Sequence, residues 1–150
     1  MLEELLQSGF EALSLVPDPQ ALGRYRIYYE YLEEMNRVMN LTAISGEEDV
    51  ARLHFLDCAA LLGLADLAGK KVIDVGTGAG FPGMPLRILE TSIHLTLLDS
   101  LNKRIDFLKE VCANLGLSDV ECVHARAEDF AAGHRASFDI VTSRAVASLP

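Results

Sequence analysis

The chain has 150 residues, half of them hydrophobic and 23% charged, with 11 Gly, 5 Pro, 3 Cys and no Trp. One domain's worth of chain at this apolar content excludes a disordered or low-complexity protein. A net charge of −9 argues against a dedicated nucleic-acid binder, but residues 1–69 carry 12 acidic and 4 basic groups whereas residues 70–150 carry 10 and 9.

The first third reads as helical. Leu2, Leu5, Leu6, Phe10 and Leu13 recur at helical spacing until Pro17-Asp18-Pro19 breaks the pattern. A longer helix is predicted from about Ala21 to Met39, with Tyr28, Leu32, Met35 and Met39 on one face and an end at Asn40-Leu41-Thr42. Ser45 followed by Glu48 predicts a capping box for a third helix, with Val50, Leu53, Asp57, Ala60 and Leu61 along its face. From Lys71 the period changes. Strands are predicted at 72–75, 95–99, 120–124 and 138–142. A helix starts near Pro82, another has Ile105, Leu108, Val111, Cys112 and Leu115 on its face and stops at Gly116, and a short one covers 128–132. Strands alternating with helices specify an α/β fold with a parallel-strand core. Residues 1–69 then form an N-terminal helical extension packed on the sheet, and residues 70–150 the ligand-binding half.

Cys58, Cys112 and Cys122 lack metal-ligand spacing, and an odd number argues against a disulfide framework. They read as reduced thiols in a cytoplasmic protein, with no metal. The start of the chain lacks the basic region of a signal peptide, and no apolar run approaches the ~18 residues that span a bilayer, so no membrane partner is expected.

The most informative stretch is Asp74-Val75-Gly76-Thr77-Gly78-Ala79-Gly80-Phe81-Pro82-Gly83. Glycines at this density after a strand let the backbone turn sharply and approach a ligand, and the helix that follows favours an anionic group at its start. Asp99, closing the next strand about 20 residues on, suits the two hydroxyls of a ribose. Gly78, Gly80 and Gly83 match G-x-G-x-x-G, which would make a dinucleotide site, but Gly76 already ends the strand. Read from Gly76, the pattern resembles the first motif of S-adenosylmethionine-dependent methyltransferases. Asp74 supports that choice, because a carboxylate there suits a cationic amino acid moiety and repels a pyrophosphate. Glu128, after the third strand, stands where a cofactor's adenine would lie, although an ordinary acid at a helix N-terminus reads equally well.

Five segments together resemble the bacterial ribosomal RNA small subunit methyltransferase G family, also called glucose-inhibited division protein B. They are Asn40-Leu41-Thr42-Ala43-Ile44, His54-Phe55-Leu56-Asp57, Asp74 through Pro85, Leu98 through Arg104, and Ser143-Arg144-Ala145-Val146-Ala147. The resemblance implies a Rossmann-like methyltransferase fold and transfer of a methyl group from S-adenosylmethionine to N7 of a guanine in 16S ribosomal RNA, as free RNA or in the small ribosomal subunit. Through it Gly76, Gly78, Phe81, Asp99, Ala127, Glu128 and Arg144 match cofactor-site positions, beside Asp74 and Gly80 of the loop. Guanine N7 has a lone pair and no proton, so no catalytic acid or base is nominated; orientation of the reacting atoms suffices.

Lys103, Arg104, Arg126 and Arg135 are candidates for a surface that contacts RNA phosphates, although for the first two a solvated face is the better reading. His54 reads as a core residue or a partner of Asp57; Tyr25, Tyr28, Tyr29 and Tyr31 read as core and shoulder rather than base-stacking residues. Four strands are fewer than a methyltransferase sheet of this class carries. The sheet is therefore expected to be incomplete, with its fourth strand an open apolar edge and turnover by this chain alone not assured. A nicotinamide-dependent oxidoreductase and a non-catalytic nucleotide-binding or interaction domain stay open as alternatives.

Overall fold

The computed structural model describes residues 1–134 and 136–143. Four parallel strands, β1 (Lys71–Val75), β2 (His94–Asp99), β3 (Glu121–His124) and β4 (Ile140–Thr142), form one sheet in the order β3-β2-β1-β4. In register, Ile73 lies beside Thr96 and Val141, and Asp74 beside Leu97 and Thr142. The two inner strands are almost continuously apolar because both of their faces are covered, as parallel sheets require. On the outer side of β4, Val141 is 66% exposed and no strand pairs among the described residues.

Helices α1 (Leu2–Ala12) and α2 (Ala21–Met39) fall where the apolar period puts them. Asn40 ends α2 in the left-handed conformation, so the chain turns back at the predicted residue. A third helical stretch runs as α3 (Glu47–Val50), a π-helical turn (Ala51–Phe55), α4 (Leu56–Ala59) and a 3-10 turn (Ala60–Gly63). It departs from expectation twice. The capping box does not form: Ser45 Oγ donates to Glu33 on α2 at 2.9 and 3.2 Å, and Gly46 N–H donates to the same carboxylate at 3.0 Å. The buried face is also rotated. Ala51, His54, Phe55, Cys58 and Ala59 point inward, whereas Leu53 is 48% exposed and Asp57 and Ala60 face outward. The π-turn admits an extra residue into one turn, and Phe55 takes the interior in preference to Leu53.

Helices α5 (Gly83–Leu89) and α6 (Asn102–Leu115) lie directly on the sheet, α7 (Ala127–Gly133) follows β3, and α2 packs on both α5 and α6. Every predicted core residue of α6 is buried, and Gly116 stops the helix with φ +71°. Residues 1–69 therefore reach the sheet chiefly through other helices. Tyr25 packs 4.8 Å from Phe55 and donates its hydroxyl to Pro85 O at 2.7 Å; Tyr28 packs 5.5 Å from Phe55 and donates to Ala79 O; Tyr31 stacks on Phe107 at 5.3 Å. Arg26 joins three helices by pairing with Glu3 at 2.7 Å and with Glu47, and its guanidinium holds the Glu3 carboxyl down at about 2. Cys112 and Cys122 are thiols with sulfurs 4.0 Å apart.

The Tyr28 hydroxyl meets the glycine loop at its tightest point. A Cβ on Gly80 would come within 2.5 Å of Tyr28 Oη and 3.0 Å of Leu108 Cδ2, on a backbone with φ +105°. Gly80→Ala is expected to destabilise the chain by about 1–3 kcal/mol, and Tyr28→Phe by about 1–2 kcal/mol through the unpaired Ala79 carbonyl. Because removing the hydroxyl relieves part of the clash, urea denaturation of the double variant is expected to show less than the sum. Strict additivity would mean the two residues do not meet.

Candidate functional site

The site is built where β1 and β2 end. Gly76 N–H and Thr77 N–H both donate to Leu98 O, at 2.9 and 3.1 Å, so the loop leaves β1 folded against β2. Beneath it Asp74 is fully buried; its Oδ2 accepts from Thr77 Oγ1 at 2.7 Å and from Gly83 N–H at 2.9 Å. One carboxylate thus fixes both the first turn of the loop and the start of α5. Asp74 Oδ1 has no hydrogen-bond partner among the described residues. Burial pushes this carboxyl up to about 6 against the opposing pull of Thr77 and Gly83, with Asp99 adding to the rise.

The loop glycines divide by role. Gly76 and Gly78 adopt left-handed backbone with open space where a Cβ would be, and both line a cavity of about 390 Å³. Gly80 and Gly83 face the protein: a Cβ on Gly83 would lie 2.8 Å from Leu97 Cδ2 and 2.9 Å from Asp74 Oδ2. Asp99, 3% exposed, is not among the residues that line the cavity; it lies behind Gly78, accepting from Gly78 N–H and from Leu101 N–H at 2.9 Å each. Arg104 lines the cavity and approaches Asp99 Oδ2 at 3.5 Å. This pairing offsets the cost of a cation in the first turn of α6.

The opposite wall comes from the helical segment. Leu41, Thr42 and His54 line it and meet Phe81 of the glycine loop; His54 stacks on Phe81 with ring centres 4.0 Å apart, and its Nε2 lies 2.8 Å from Thr42 Oγ1. His54 is 7% exposed, in keeping with its reading as a core residue, and it also lines this wall, a place the reading of single residues does not anticipate. The signal for it was present in the Asn40–Ile44 and His54–Asp57 segments, which the fold brings to one cavity.

Other nominated residues lie elsewhere. Ala127 and Glu128 are exposed at the start of α7, beyond β3, with Arg126 as the residue that precedes the helix; none of them lines the cavity. Lys103 is exposed on α6. Arg135 and Arg144 lie outside the described residues. The expected anion-favouring start of α5 is corrected by the geometry. That helix has only seven residues, all buried, and its Gly83 N–H is taken by Asp74. A pyrophosphate at that point would meet a buried carboxylate, so the arrangement disfavours a dinucleotide and suits a ligand without phosphate.

The model of the rRNA small subunit methyltransferase G family (GidB) matches residues 22–150. The chain belongs to that family. Ribosomal RNA small subunit methyltransferase G of Clostridium botulinum is 43% identical over 148 residues, covering 97% of this chain and 62% of the relative. The Desulfitobacterium hafniense relative of the same name is 51% identical over 131 residues, 86% of this chain and 54% of its own. The chain thus spans about 62% of the length of the first of these. Among solved structures, an O-methyltransferase from Bacillus cereus in complex with SAH aligns with TM-score 0.62 at 20% identity, over 97% of this chain and 63% of that one. The fold is therefore that of methyltransferases: a parallel α/β sheet with the glycine loop at its carboxyl edge.

Asp74 makes stability depend on pH in an identifiable direction. Its folded-state carboxyl titrates at about 6 against an ordinary 3.8, so between those values the folded chain binds more protons than the unfolded one. This group's contribution therefore lowers stability as pH rises from about 4 to about 6, and the penalty is complete above that. Asp74→Asn keeps an acceptor for Thr77 and Gly83 but has no charge to desolvate. Its stability relative to the unchanged chain is expected to fall by about 2–3 kcal/mol between pH 7 and pH 4, read by urea unfolding. A pH-independent difference would mean that burial does not raise this carboxyl.

Proposed function

We propose that this chain is the S-adenosylmethionine-binding portion of a methyltransferase that acts on N7 of a guanine in 16S ribosomal RNA, as free RNA or within the small subunit. The carrying observation is the Asp74 carboxylate at the start of α5, beside a cavity lined by Gly76 and Gly78. It suits a cofactor with a cationic amino acid moiety and a ribose, and without phosphates. In this reading residues 1–69 are a helical extension that supplies one wall of the cavity, and residues 70–150 are the cofactor half; the site of action is the cytoplasm.

S-adenosylmethionine supplies a methyl carbon already activated by its sulfonium. The chain's task is to hold and orient. Gly76 and Gly78 let the backbone approach the cofactor; Asp74 holds the loop from beneath, and Gly80 lets it seat against Tyr28. Asp99 accepts from the ribose hydroxyls once Arg104 gives way. Phe81, stacked on His54, forms a flat wall for a planar base. On the family resemblance alone, Ala127 and Glu128 are assigned to the adenine end of the cofactor and Arg144 to the cofactor site. Lys103, Arg104, Arg126 and Arg135 supply local positive charge for RNA phosphates. No proton has to leave N7, and no general base is assigned.

Titration calorimetry with S-adenosylmethionine is expected to show saturable binding that weakens about tenfold or more in Asp99→Ala. Absence of saturable heat at millimolar cofactor would overturn the cofactor assignment, and NADH fluorescence titration tests the nicotinamide alternative. Transfer of a tritiated methyl group to unmodified small-subunit RNA or particles, with the product identified as 7-methylguanosine by mass spectrometry, tests the substrate.

A further inference from the structure

Two thiols meet where α6 packs on the edge strand β3. Cys112, in the last turn of α6, is 6% exposed, whereas Cys122 on β3 is only half-buried. Their sulfurs lie 4.0 Å apart although the residues are ten positions apart in the chain. Between them the chain reverses at Gly116, in left-handed backbone, and Leu117 N–H donates to Cys112 O at 2.9 Å, so the backbone fixes the approach. The Cys112 S–H directed at the Cys122 sulfur holds the Cys122 thiol below its ordinary value, with Lys109, one turn back on α6, helping against the opposing pull of burial. The same contact, together with burial, pushes the Cys112 thiol up. One thiol is thus the readier nucleophile and the more exposed, and the other stands directly behind it.

We propose that Cys112 and Cys122 form a reversible oxidation site for a hydroperoxide, closing to a disulfide that ties β3 to α6. With hydrogen peroxide, the Cys122 thiolate attacks one oxygen and the O–O bond breaks; Cys122 becomes a sulfenic acid, and the departing hydroxide takes up the thiol proton as water. The Cys112 sulfur then attacks the sulfenic sulfur, and its proton leaves with the displaced hydroxyl as a second water. The two thiols together give up two electrons and two protons to one peroxide. The sulfurs have about 2 Å to travel to bonding distance. The bond braces a strand that β2 alone pairs among the described residues. A cellular thiol pool reopens it, so in a reducing compartment the bond is transient. The pair is independent of the glycine-loop cavity and of the function read from it.

The test exposes the reduced full chain to hydrogen peroxide, alkylates the remaining thiols in denaturant and cleaves after glutamate, which separates the two cysteines at Glu121. Mass spectrometry is expected to find the peptides of Cys112 and Cys122 joined within one chain and released by dithiothreitol, with Cys58, 2% exposed, recovered as an alkylated thiol. In Cys112→Ser, dimedone is expected to trap a sulfenic acid on Cys122. If that variant does not fold, the cross-link in the unsubstituted chain still decides. Oxidation is expected to slow hydrogen exchange of the β3 amides about tenfold. Thiols unchanged by peroxide, a bond between two chains, or a sulfinic acid on Cys122 without the cross-link overturns the proposal. A Cys112–Cys122 bond that leaves exchange in β3 unchanged does so as well.

Discussion

The arrangement of the carboxyl edge of the sheet around the glycine loop depends on the Asp74 carboxylate. It stands at the end of a buried strand, where an ionised group is unfavourable, and its burial is offset by a hydroxyl and a helix N–H donated to one oxygen. Those two bonds set the path from β1 to α5. With that path fixed, Gly76 and Gly78 face outward and Gly80 and Gly83 face inward. The same carboxylate satisfies the start of α5 with the protein's own negative charge. A loop that looks able to cradle phosphate is therefore electrostatically unsuited to it, and the distinction lies in one residue that precedes the glycines.

A second constraint ties the helical segment to this loop. Tyr28, Phe55, Phe81 and His54 form a chain of ring contacts from α2 through the π-turn to the loop, with centroid separations of 5.5, 6.3 and 4.0 Å along it. Tyr28 also donates to Ala79 O, so the loop is held from above by an aromatic cluster and from below by Asp74. The buried residues form one continuous cluster running from Leu2 to Leu117. Residues 1–69 thus share the core on which the cavity is built and supply its wall through Leu41, Thr42 and His54.

What could be read in advance depended on how local its cause was. The inner strands are buried on both faces and so appear as apolar runs; the left-handed turns at Asn40 and Gly116 depend on a few neighbouring residues. The glycine loop and Asp99 were legible because spacing along one βαβ unit sets where they meet. The third helix was not. Glu33, twelve positions before Ser45, accepts from the Ser45 hydroxyl and draws it away from the helix start, and a π-turn shifts the buried face in a way that a 3.6-residue period does not anticipate. Arg104 was read by its place at a helix start, whereas its partner Asp99 lies five residues earlier at a strand end, a pairing created by the tight β2–α6 turn.

The charge balance takes on a different meaning once partners are known. Arg26 is engaged by Glu3 and Glu47, Arg52 by Glu48, Arg87 by Asp119 and Arg104 by Asp99. Four of the 13 Lys and Arg residues are thus engaged by carboxylates, and the net charge of −9 cannot draw a polyanion by long-range attraction. Any phosphate contact must rest on short-range geometry, in which a desolvated guanidinium counts for more than the same charge in water. Arg87, 7% exposed against Asp119, meets that condition. The Arg104 side chain is 39% exposed and relies instead on its contact with the buried Asp99 at the edge of the cavity. An acidic chain can therefore present a few oriented cations where a basic chain would present a patch, gaining selectivity for position at the expense of general affinity for nucleic acid.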